Sequence, residues 1–128
     1  MRDQGYAFSS VSHCPLGSGY AVAHQRVGFD MEDIRRIRPE LIARVSDTDE
    51  VAAAPLPSAL WVAKESSFKA LNSTHPVRLI SELRIFDWKV EGDQLKFQVY
   101  FQDSKLCTGD GFIRQDGHLI LGIYLSHY

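Results

Sequence analysis

Cysteine is scarce in this sequence, and so are long apolar runs, repeats and net charge. The two cysteines among 128 residues, Cys14 and Cys107, have neither the spacing of a zinc site nor the density of a disulfide-stapled secreted domain. A secretory leader needs an apolar core behind its first residues. Here residues 1–5 are polar and no such core follows. No apolar stretch approaches bilayer-spanning length, so no membrane association is expected and the cytoplasm is the default compartment. A net charge of −2 and a pI near 6.2 leave no overall footprint for nucleic acid. Basic residues cluster only locally, at Arg35, Arg36 and Arg38.

What is present is enough for one domain over residues 1–128, since 45% of the chain is apolar and can bury a core. "YAFSSVSHCPLGSGYAVAHQRVGFDME" reads as two strands joined by a turn containing Pro15, Gly17 and Gly19. "DIRRIRPELIARV" is interrupted by Pro39, which predicts two short helical pieces. Ser46, Asp47 or Thr48 can cap a brief helix that Pro55 ends. "SALWVAKESSFKAL" predicts the principal helix, with Ser58 as cap and Leu60, Ala63, Ser67, Phe68 and Leu71 as its inward stripe. Beyond Pro76 the period changes to two. Leu83, Ile85 and Asp87 alternate with Arg84, Phe86 and Trp88, and a turn follows at Gly92-Asp93. Leu95, Phe97, Val99 and Phe101 then share a face, and Asp116-Gly117 marks a tight hairpin. The expected class is α+β, an antiparallel sheet with one principal helix packed on it.

Two acidic residues, Asp30 and Glu32, fall at i and i+2 of "VGFDMEDI", which places both on one side of a strand about 7 Å apart. Such a pair repels unless a positive charge sits nearby. On the principal helix Trp61, Glu65 and Lys69 recur at i, i+4 and i+8 and share a face, with Lys64 about 100° around the axis. Taken singly these are a strand-end acidic pair and a helical Glu–Lys pair. Taken together, Asp30, Glu32 and Glu65 are three oxygen ligands for a hard divalent cation such as Mg²⁺. Lys64 and Lys69 are point charges for phosphate. Trp61 reads as core packing, and His24, His75 and His118 have no ligand spacing.

"VGFDMEDI" followed by "LWVAKESSFKAL" resembles the paired signature of the 4′-phosphopantetheinyl transferase superfamily. That signature is Gly-x-Asp-x-Glu on a strand, then Trp-x-x-Lys-Glu-x-x-x-Lys on a helix. "SSVSHCP" ahead of them is similar to the Ser-His motif of surfactin-type members, and the wording is nearest the enterobactin-synthetase component D branch. The resemblance implies transfer of the phosphopantetheine arm of coenzyme A to a serine of an acyl or peptidyl carrier protein. It further implies Mg²⁺ on Asp30, Glu32 and Glu65, with Glu65 or a metal-bound water as base. Lys69 and Lys64 are then pyrophosphate contacts, Ser12 and His13 nucleotide contacts, and Arg35, Arg36 and Arg38 a carrier-docking patch.

Three departures accompany the likeness. The chain matches only half the length of surfactin-type members. It keeps their motif order at the size of the small holo-acyl-carrier-protein synthases, whose corresponding Ser-His motif lies near the C-terminus, where this chain has only "SHY" (126–128). "LNSTHP" stands where many members carry a glycine-containing loop. A lone half-size module is expected to self-associate, forming a homo-oligomer. The alternative is a non-catalytic homologue that binds coenzyme A or a carrier protein.

Overall fold

The computed structural model describes residues 8–72, 77–102 and 105–127. The residues ahead of Phe8, His75 with most of the "LNSTHP" loop, and Tyr128 of "SHY" lie outside the described residues. Seven strands and three α-helices follow in the order β1 (Phe8–Cys14), β2 (Gly17–Ala23), β3 (Val27–Asp33), α1 (Pro39–Val45), α2 (Thr48–Ala53), α3 (Pro57–Leu71), β4 (Leu83–Glu91), β5 (Gln94–Phe101), β6 (Lys105–Asp116) and β7 (Leu119–Ser126). Short 3₁₀ turns precede α1 and β4. The class is α+β, as expected from the change of period after the helix.

Strands β4 to β7 form a meander that β3 joins at one side, giving the order β3-β7-β6-β5-β4. Every ladder is antiparallel. The segment read as two strands contains three, because "VGFDMED" leaves the hairpin β1–β2 and pairs with β7 instead. The hairpin is a separate two-stranded sheet, docked through side chains. The Phe29 N–H donates to Ser10 Oγ at 2.9 Å and the Met31 N–H to Ser12 Oγ at 3.2 Å. Those hydroxyls satisfy backbone donors on the open side of β3 that would otherwise need another strand or water.

Helix α3 packs across β3 and β7, and two glycines set how closely. A Cβ at Gly28 would lie 1.8 Å from the Ser66 carbonyl oxygen, and one at Gly122 would lie 2.4 Å from Val62 Cγ1. Only a residue without Cβ fits there. The helix is buried almost all round, on Leu60, Val62, Ala63, Ser66, Ser67, Ala70 and Leu71. The serines stay satisfied by donating to the carbonyls of Val62 and Ala63 at 2.8 and 2.6 Å. Of the expected inward stripe, Phe68 is only half-buried. Pro57, at the first helical position, opens the helix after an extended Leu56, so Ser58 is not its cap. Asp47 caps α2 in a reciprocal box with Glu50.

Leu83, Ile85, Phe97, Val99, Ile113, Ile120 and Tyr124 complete the core beneath α3. One expected alternation breaks. A bulge between Phe86 and Lys89, with Asp87 at φ +58°, shifts the register and turns Trp88 onto Phe97 at a ring separation of 5.5 Å. Trp88 therefore joins the core side with Leu83 and Ile85 rather than sharing a face with Arg84 and Phe86. Among the described residues no helix is long and apolar enough to cross a membrane.

Candidate functional site

Strand β3 presents Asp30 toward α3, and the glycine contact at Gly28 holds the helix near enough for Glu65 and Lys69 to reach the same region. Asp30 is buried, with 3% of its surface exposed. Its Oδ1 lies 3.4 Å from both Ser12 Oγ and Lys69 Nζ. Its Oδ2 is buried without a hydrogen-bond partner. Lys69 Nζ donates to the Phe29 carbonyl at 2.9 Å and to the Val11 carbonyl at 3.3 Å, so it spans the seam between hairpin and sheet.

The electrostatics of this cluster are unbalanced. Burial above all, then the Glu32 charge, pushes the Asp30 carboxyl up to about 8, with Lys69 only partly opposing. Burial, and then Glu32, also raises Glu65, again against Lys69. Three carboxyl groups thus feel one another, and among the described residues Lys69 is the positive charge that opposes them. Oxygen donors with a charge deficit of this kind fit a hard divalent cation chemically. Among the described residues, however, no three His, Cys, Asp or Glu side chains are already gathered as a ligand set. The donors are therefore of the right kind but not preassembled.

The structure brings together Ser12, Asp30, Glu32, Glu65 and Lys69. It does not bring in Lys64. That side chain is fully buried on the other side of α3, where Nζ donates to the Val45 and Leu83 carbonyls at 2.6 Å each and pairs with Glu50 at 2.9 Å. The assignment of Lys64 to pyrophosphate is corrected on that ground: the ammonium ties α1, α2 and β4 to α3 and has no path to the acidic cluster. His13 alternates away from Ser12 and is exposed. It lines an open depression of about 600 Å³ over the hairpin, together with Val11, Ser18 and Tyr20. Arg35, Arg36 and Arg38 are exposed directly after β3. Arg35 forms a two-pronged pair with Asp33 at 2.9 and 2.8 Å, which holds that carboxyl down at about 2. Trp61 is half-buried against the core, in keeping with packing.

Three contributors escaped the sequence reading. Gly28 sets the helix-to-strand distance, and the glycine inside the acidic motif was its only signal. Ser10 supplies half of the seam, visible only as a serine two residues before Ser12. Glu50 partners Lys64, and its burial follows from the fold alone.

No known protein-family model matches the chain, and no curated protein matches it significantly.

Proposed function

We propose that the protein transfers the 4′-phosphopantetheine arm of coenzyme A to a carrier-protein serine in a Mg²⁺-dependent reaction. The observation that carries this reading is the buried Asp30 carboxylate with an unpartnered oxygen. It lies in a carboxyl cluster short of positive charge, beside the lysine that the motif supplies. Asp30, Glu32 and Glu65 would hold the ion. When bound it polarises a phosphoryl oxygen and offsets charge on the diphosphate.

The chain's own residues have separate tasks. Glu65, its proton affinity raised by burial, takes the proton of the incoming serine hydroxyl, directly or through a water. The serine oxygen bonds to the phosphorus bearing the pantetheine arm, and the bond to adenosine 3′,5′-bisphosphate breaks. Lys69 offsets charge on that leaving group. Ser12, already at Asp30, and His13, over the adjoining depression, receive the nucleotide end. Arg36 and Arg38 present positive charge beside the site to an acidic carrier protein.

A second reading, a homologue that binds coenzyme A or a carrier protein without transfer, is favoured by two observations. Lys64 is withdrawn from the cluster, and the three carboxylates are not gathered as ligands. Calorimetric titration of coenzyme A with and without Mg²⁺ tests the metal-site argument common to the transferase reading. Binding should require the ion and be lost in Asp30→Ala. Equal binding in the presence of chelator would overturn it.

A further inference from the structure

We infer that β2 is a self-pairing edge through which two copies of the chain form a dimer. From Phe8 to Gln25 the sequence contains no Asp, Glu, Lys or Arg. The hairpin in that stretch carries four of the nine exposed large hydrophobic residues found among the described residues: Val11, Leu16, Tyr20 and Val22. Tyr20 is 72% exposed. Strand β1 has the β2 ladder on one side, its Ser10 and Ser12 hydroxyls take up the Phe29 and Met31 N–H groups of β3, and its Val11 carbonyl accepts from Lys69 Nζ. Among the described residues no strand pairs with the other side of β2.

The opposite end of the molecule shows how this fold protects an edge. Strand β4 carries Arg84, Asp87, Lys89 and Glu91, and a bulge at Asp87 interrupts it. Charges and bulges of that kind block strand addition. β2, "GSGYAVA", has neither. Beside it lies a groove of about 300 Å³ whose wall is mainly apolar, with Tyr20, Phe29, Phe112 and Leu121 on it beside Gln94 and Arg114, so apolar surface continues from the edge onto the outer sheet face.

The sequence of β2 points to a second copy as the occupant. A two-fold axis at Tyr20, the middle residue of Gly17–Ala23, sets Ser18 opposite the second copy's Val22 and Gly19 opposite its Ala21. Every pair is neutral and most are small, so the backbones can approach and no like charges face each other. An acidic or basic partner would find no countercharge anywhere along the hairpin. The dimer would also brace β1, which holds Ser12 against Asp30.

Sedimentation of the full chain over a concentration series tests this. The wild type should approach twice the chain mass. Tyr20→Lys, which sets two ammonium groups face to face, should remain at the chain mass while still melting cooperatively. Pairing centred on residue 20 places its Cα about 4.5–5.5 Å from its copy, within disulfide range. Tyr20→Cys in a Cys14→Ser background should therefore oxidise to a covalent dimer, while Val90→Cys on the guarded edge should not. A wild type at chain mass throughout, a Tyr20→Lys dimer, or equal cross-linking at both positions would overturn the inference. Each readout is a mass, so failure here is distinct from failure of the transferase reading.

Discussion

Replacing Gly28 by alanine should drive the principal helix off β3. The added Cβ would sit 1.8 Å from the Ser66 carbonyl oxygen and 2.8 Å from the Ala70 nitrogen. An ordinary contact begins at 3.4 Å, so α3 must retreat by about 1.6 Å. The obstruction is helix backbone, and no side-chain rotation relieves it. Retreat would also loosen the contact of Val62 with Gly122 on the neighbouring strand. Overpacking usually costs 1–3 kcal/mol, and the added loss of helix–sheet contact places this change at about 3 kcal/mol or more. For a chain of this size that lowers the melting temperature by about 10 °C. Circular dichroism melts provide the assay, with Gly19→Ala as control. The nearest atom to a Cβ there, at 3.1 Å, belongs to the movable Phe29 ring, so the cost should stay under about 1 kcal/mol. A Gly28→Ala protein melting as the wild type does would refute the reasoning that this contact sets the helix position.

The raised Asp30 gives a pH signature. Because its folded value is about 8 and an unfolded aspartate titrates near 3.9, the folded chain binds that proton more tightly. Stability is then greatest on the acid side and falls as pH rises through this window. Asp30→Asn should flatten the fall and melt above the wild type at pH 8; parallel pH–melting curves would count against it. Mg²⁺ at pH 8 should raise the melting temperature of the wild type and not of Asp30→Asn, since a ligand stabilises only the state that binds it. Lys64→Ala removes the ammonium from a fully buried Glu50 and should cost about 3 kcal/mol in urea melts. Ser10→Ala with Ser12→Ala deprives the Phe29 and Met31 N–H groups of their acceptors. Hydrogen exchange should then quicken over β1 and β2 while β5 to β7 stay protected.

The meander was the most legible part of the chain. Alternation in "LKFQVYF" and the turns at Gly92 and Gly117 mark β5 and the hairpin ends directly, because half-buried antiparallel strands write their faces into the sequence. Trp88 was misplaced because a bulge inserts one residue without leaving a local pattern. The acidic strand and the helix with Glu65 and Lys69 were legible as separate elements. Their meeting depends on Gly28, whose role is an absence of side chain. Lys64 could not be read from spacing at all. Helix α3 is buried on nearly every side, so its charged residues divide according to what packs on each flank, and Glu50 comes from a different helix.

The most direct test of the central claim is mass spectrometry of a panel of apo carrier proteins incubated with this protein, coenzyme A and Mg²⁺. The account predicts that one or more carriers gain the phosphopantetheine mass on the carrier serine, and that Glu65→Gln abolishes the gain. Coenzyme A bound in a Mg²⁺-dependent manner, with no carrier modified, would contradict the transferase reading and leave the binding homologue in its place.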